Sequence, residues 1–250
     1  MKFSTTSDRG INSTTIMSKL PKKILELQIQ LNTCDLYAKG HICDQFLEII
    51  RTAPNDDLKS ELCKIVMLEL VDLNREKDLS FCQDIMMSHH DYHSHLAALW
   101  SRALWCRKHK DLDGQLDAFN KGLEIAKCNN DDIALSEGLL NRGKVRMERG
   151  DLDDALDDFC RTIPIAEKIN NYKLVAIAHY YTALILMAKG YPELCLQKLR
   201  EASEIAIRQH SQTIVMQTEV LRAKVQMELG RTDVAKKILD GWVNEFGLML

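Results

Sequence analysis

The sequence predicts an all-α protein built as an array of about six helical hairpins, an α-solenoid. Three observations carry that reading. The residues that interrupt helices are scarce, with 4 Pro and 11 Gly in 250 residues, while Leu, Ala, Glu, Lys and Ile are plentiful; that balance favours helix along the whole chain. Nowhere does a strand pattern alternate with a helix pattern, as a parallel sheet would require. Finally, the chain repeats itself every 40 residues over most of its length, and a period of that size is the mark of a helical array.

The repeat is read from its columns. Small residues recur as Ala103, Gly143, Ala183 and Ala223, where two helices of a hairpin must approach closely. Trp105, Val145, Ile185 and Val225 form an apolar column, and Met147, Met187 and Met227 another. Lys110, Gly150, Gly190 and Gly230 mark the end of a first helix, whose C-terminus needs a residue of positive φ. Asp111 or Asp151 follows as the cap of the second helix, with further Asp in its first turn suiting the helix dipole. Ala155, Cys195 and Ala235, then Phe119, Phe159, Leu199 and Leu239, complete the second helix and pack back on the first. Two earlier units place Gly40 and Lys77-Asp78 in the turn slot, with Gln45/Ile49 and Cys82/Met86 behind them and spacings shortened to 37 and 33. The hairpins fall at about 24–57, 60–92, 95–130, 133–170, 173–209 and 212–247. Pro54 should end a helix and Pro192 should open one, whereas Pro164 falls in a helix interior and should kink it.

The stretch "LLNRGKVRMERGDLDDALDDF", residues 139–159, carries a small residue, seven residues, Gly-Asp-Leu, then Ala, then Phe four positions on. It resembles a tetratricopeptide repeat (TPR), in the long variant found in bacterial signalling regulators and some scaffolds. The resemblance covers roughly residues 24–247 and implies a right-handed TPR superhelix. It also implies a concave groove that holds a peptide or partner protein, without catalysis. The family's Leu before the small residue is replaced by Arg102, Arg142 and Arg222, and by Thr182 in the remaining unit. The apolar stripe moves to Trp100, Leu140, Tyr180 and Val220, one helical position from the family's usual map.

These departures supply the candidate site. Arg102, Arg142 and Arg222 lie one period or two apart on first helices, which line the inner face of such an array. They form either a ladder of guanidinium forks for an acidic or extended peptide, or internal pairs with Glu and Asp of neighbouring repeats. Asn141 occupies the slot where TPR proteins often hold a ligand's backbone, and Lys144 and Lys224 add positive charge nearby. Trp100, Tyr180 and Tyr181 are an aromatic floor for apolar anchors, or else core.

Other classes are set aside. Net charge is −3, with 33 basic against 36 acidic residues and no bias in either half, which is not the footprint of a nucleic-acid binder. No apolar run reaches membrane-spanning length. Residues 1–20 are Ser/Thr-rich without the apolar core of a secretory signal and read as a disordered extension before the array at 21–250. The eight Cys form no CxxC pair and read as reduced core residues of a cytoplasmic protein. No nucleophile elbow, phosphate loop or dinucleotide fingerprint is present, so neither an enzyme nor a cofactor is expected. "SHHDYHSH", residues 88–95, offers His89 and His93 at i,i+4 with Asp91 near, a zinc pair lacking a third ligand; a polar loop is the plainer reading and no metal is expected. Asp151, Asp153, Asp154, Asp157 and Asp158 lack calcium-loop spacing and read as an acidic helix start. The expected function is a peptide- or protein-binding scaffold in cytoplasmic signalling or regulation. A peptide-responsive sensor that changes shape is one alternative. A self-associating module, dimerising through the apolar C-terminal end "EFGLML", or a fragment of a larger protein is another.

Overall fold

The computed structural model describes residues 22–246, and side chains as far as Gly241; the N-terminal extension and residues 247–250 of the apolar end lie outside the described residues. The elements are α1 (Lys22–Thr33), α2 (Leu36–Thr52), α3 (Asp56–Asp72), α4 (Glu76–Ser88), α5 (Tyr92–Lys108), α6 (Leu112–Cys128), α7 (Asp132–Arg149), α8 (Leu152–Lys168), α9 (Tyr172–Ala188), α10 (Pro192–Arg208), α11 (Gln212–Glu228) and α12 (Thr232–Phe246). No strand occurs among the described residues. The fold is an all-α helical repeat. It divides into two compact units between Ser101 and Arg102, so α5 runs across the division.

The joints explain the helix lengths. Lys110, Gly150, Gly190 and Gly230 all have positive φ, as do Asn74, Asn130, Asn170 and His210. At each, the following N–H reaches back five residues to a helix carbonyl, as in Asp151 to Arg146 at 2.8 Å and Asn171 to Ala166 at 2.8 Å. This closes the orphan carbonyls of each C-terminus. The sequence identifies the joints at Lys110, Gly150, Gly190 and Gly230 but not the row Asn130, Asn170, His210 between hairpins. Caps then start the next helix: Asp111, Asp131 and Asn171 accept from Gly114, Ala134 and Leu174 N–H at 2.8, 3.0 and 3.2 Å. Asp151 does not cap, because the Arg149 guanidinium takes its carboxylate.

Two turn assignments are corrected in the first unit. Gly40 lies inside α2, and the chain turns instead at Cys34 and Asp35, where Asp35 caps Ala38 N–H at 2.9 Å. Lys77 and Asp78 lie in the first turn of α4, and the joint is Asn74, at φ 60°. Asn is the residue besides Gly that tolerates this conformation most readily. Phe46, Leu47, Ile50, Leu62, Leu70, Leu79 and Met86 form this unit's core, each at most 1% exposed.

In the second unit the predicted columns are the core. Ala103, Ala183 and Ala223 are buried, as are Trp105, Val145, Ile185 and Val225. A Cβ added to Gly143 would stand 2.7 Å from Cε1 of the buried Phe159 ring, so the small column exists to admit the large one. Leu239 departs from its column: it is 37% exposed, where Phe159 and Leu199 are fully buried. Helix α8 continues through Pro164, and α10 begins on Pro192. Ion pairs staple the start of one second helix to the end of a later helix, as Arg149 to Asp113 at 3.1 Å and Lys189 to Asp153. The first helices also touch each other, α7 on α9 and α9 on α11, forming a continuous row.

Candidate functional site

That row carries most of the candidate residues, and the chain itself engages both Arg142 and Arg222. Arg142 on α7 reaches α8, giving Nε and Nη2 to the two oxygens of Asp158 at 3.0 and 2.6 Å, and Nη1 to Asn120 at 2.8 Å. Arg146 adds Nη1 to Asp158 Oδ2 at 2.8 Å. Asp158 is fully buried, so this cluster compensates an internal carboxylate. Arg222 donates to both oxygens of Glu219 at 2.7 and 2.8 Å, and Glu219 also accepts from Ser203 at 2.6 Å. Arg222 borders a cavity of about 410 Å³ between α10, α11 and α12, with Arg200, Glu204 and Lys237 on its walls. Arg102 is half-buried on α5. The Asp111 carboxyl is held below its usual range first by the Gly114 N–H, then by the Cys106 thiol, with the Arg102 charge adding to the effect. Of the acidic run, Asp151 and Asp153 pair with Arg149 and Lys189, and Asp157 with Arg161 at 3.4 Å; these carboxylates diverge rather than converge.

Lys144 behaves differently. It sits one turn along α7 from Asn141, with Nζ 3.5 Å from the Asn141 Oδ1 and 5.1 Å from the centre of the Tyr181 ring on α9. No carboxylate lies within ion-pair distance of it among the described residues. Burial pushes its pKa down from the usual 10.5 to about 8, and the Arg107 charge pushes the same way. Tyr181 stacks on Phe159 with centroids 5.3 Å apart and meets Tyr180 edge-on at 5.5 Å. Burial raises both phenol pKa values. Tyr181 thus belongs partly to the core and partly to the wall above Lys144. Lys224 on α11 is exposed, 4.0 Å from Glu228. Trp100 is half-buried in the first compact unit. The structure therefore gathers Asn141, Lys144, Tyr180 and Tyr181 into one place. The group is a half-buried cation beside a second cation and two aromatic rings, without a carboxylate partner among the described residues, and its chemistry is complementary to an anionic group. The contribution of Arg107 was not read from the sequence, where it is one more charge near a helix end.

A second polar cluster has the connectivity of a nucleophile, base and acid: Ser94 Oγ lies 3.4 Å from His89 Nδ1, and His89 Nε2 lies 2.9 Å from Asp57 Oδ1. Ser94 is 0% exposed and its hydroxyl is shared with Ser60 at 2.8 Å. No substrate carbonyl can reach that oxygen, so the arrangement does not serve acyl transfer.

Neither a family model nor a curated relative matches the chain. Solved structures do resemble its fold. BtubC (BKLC) from P. vanneervenii superposes with a TM-score of 0.73 at 12% identity, over 84% of this chain and 91% of that one. The signal-transduction ATPase PH0952 from Pyrococcus horikoshii, with its tetratricopeptide repeat sensor, gives 0.69 at 14% identity, over 93% of this chain and 39% of that one. Aspartyl phosphate phosphatase F from Bacillus subtilis gives 0.68 at 11% identity, over 90% and 69%. With its repeat period, joints and small-residue columns, the chain has a TPR-type helical repeat fold. Among the described residues no helix is long and apolar enough to cross a membrane.

Proposed function

We propose that the chain is a binding scaffold that captures a protein or peptide segment along the first helices of its second unit. The observation that carries this is Lys144, a half-buried cation over the Tyr181 ring without a carboxylate partner among the described residues. A folded chain rarely keeps such a group unless something else completes it. An acidic side chain or C-terminal carboxylate of the ligand would pair with Nζ. The amide of Asn141 would hold ligand backbone, and the exposed parts of Tyr180 and Tyr181 would receive an apolar neighbour. Recognition is by a preformed surface: helix packing fixes α7 and α9, so little is ordered on binding. The fold likeness to a protein with a TPR sensor and to a phosphatase accords with a regulatory setting, cytoplasmic signalling among them. Arg142 and Arg222 act in this reading as supports of the wall, and Arg102 and Lys224 as outlying positive charge that steers an acidic segment.

Selection from a displayed random peptide library tests the proposal. The unaltered protein should enrich peptides carrying Asp, Glu or a free C-terminal carboxylate. Lys144→Met should lose them by about tenfold or more in affinity while melting as a folded helical protein. Enriched peptides that lack an acidic group, or that bind Lys144→Met equally well, would refute it.

A further inference from the structure

Three side chains distant in sequence meet in the first compact unit. Asp57 stands in the first turn of α3, His89 is the residue that ends α4, and His90 follows it. One ligating atom from each, a carboxylate oxygen and a nitrogen from each imidazole, lies within 4.8 Å of the others. The sequence pairs His89 with His93 as helical neighbours. The helix in fact stops at His89, whose backbone is extended at ψ 150°, and His93 belongs to α5. The partner that sequence reading lacked comes from 32 residues upstream.

We propose that Asp57, His89 and His90 form a site for a divalent transition-metal cation, zinc being the ion this donor set suits. Two imidazoles and one carboxylate match the nitrogen and oxygen preferences of zinc and not the all-oxygen shells of calcium or magnesium. Three protein ligands leave a fourth position for water or for an incoming group. Asp57 and His90 are exposed, so an ion can enter, whereas the His89 side chain is 8% exposed and braced from behind.

The bracing decides whether His89 can serve. In the hydrogen-bonded arrangement His89 Nδ1 accepts the Asp91 backbone N–H at 3.2 Å, so the ring proton sits on Nε2 and is donated to Asp57 at 2.9 Å. A metal on Nε2 displaces that proton, and the neutral ring then carries its hydrogen on Nδ1. Ser94 Oγ, 3.4 Å away, is placed to accept it. Ser94 can pass its own hydrogen to Asp91 Oδ2 at 3.3 Å, while Ser60 donates to Ser94 at 2.8 Å. Two hydrogen bonds are given up, the Asp91 N–H to Nδ1 and the Nε2–H to Asp57, and bonds from the metal to Nε2 and to the Asp57 carboxylate replace the second. An acceptor that orients the far nitrogen of a ligating imidazole is the usual support of such sites, and the buried Ser94 hydroxyl takes that part here.

Calorimetric titration of the full chain with zinc chloride, with magnesium and calcium chloride as controls, tests the site. One zinc should bind per chain, and neither alkaline-earth ion should compete. Asp57→Asn and His90→Gln, both at exposed positions that leave the core intact, should each weaken zinc by about tenfold or more. His93→Gln should leave it unchanged. The His89 nitrogen resonances should show the proton moving from Nε2 to Nδ1 as zinc is added. Failure of the unaltered protein to bind zinc overturns the proposal, as does binding that survives His90→Gln and Asp57→Asn at full affinity.

Discussion

Replacing Lys144 by Met should make the protein more stable at neutral pH, although it removes a charge and leaves a chain of similar length. An ammonium whose pKa falls from 10.5 to about 8 on folding is disfavoured in the folded state. Each tenfold in acidity corresponds to about 1.4 kcal/mol, so full desolvation would cost about 3 kcal/mol. The side chain is half-buried and keeps its contact with the Tyr181 ring, so on the order of 2 kcal/mol is expected. The pH dependence has a definite sign. Between about pH 8 and about pH 10.5 the unfolded chain binds more protons at Lys144 than the folded chain does, so its contribution to unfolding free energy rises with pH in that window. Urea unfolding followed by circular dichroism, at intervals from about pH 7 to about pH 10.5, should show the unaltered protein gaining on Lys144→Met until the difference closes. Other titrating groups are common to both proteins and cancel in the comparison. A difference that stays flat with pH, or a Met variant less stable at neutral pH, would refute the reasoning: the ammonium would then be satisfied within the chain and would have no call on a ligand.

Two further outcomes follow from the geometry around it. Arg142→Ala should cost about 1.5–3 kcal/mol because Arg146 still reaches Asp158, whereas Arg142→Ala with Arg146→Ala should cost about 3–5 kcal/mol by stranding a buried carboxylate; equal losses in urea unfolding would mean that the two cations do not share one acid. Gly143→Ala should destabilise by about 1–3 kcal/mol, since its Cβ meets the Phe159 ring, and the loss should shrink when Phe159→Leu is combined with it.

The fold was legible where chain chemistry repeats. The small column, the apolar columns and the glycines at 150, 190 and 230 each answer a local demand that recurs at every joint, so one sequence suffices to see them. The joints between hairpins were harder to read because Asn130, Asn170 and His210 share a backbone conformation but no single residue type. Gly40 and Lys77 misled for the opposite reason: a glycine is permitted in a helix, and Asn74 was the residue that took the left-handed turn. The candidate site was only partly visible. Spacing places Arg142 and Lys144 two positions apart on one helix, but it does not say that one finds a buried aspartate and the other finds none. Burial of Asp158 is a property of the packed pair α7 and α8, and no pattern in the acidic run distinguishes it from Asp157, which faces water. Likewise the meeting of Asp57 with His89 depends on how α3 lies beside α4, not on any local motif.

The helices of the second unit begin at residues 112, 132, 152, 172, 192, 212 and 232, and Asn130 and Asn170 turn the chain in the same way. A segment running from one such asparagine to the next therefore presents the same backbone turn at both of its ends. The proposed binding surface is not contained in one such segment. Asn141 and Lys144 belong to one segment and Tyr180 and Tyr181 to the next, so the four come together only at their seam. In the proposed scaffold, recognition therefore depends on which segment follows which.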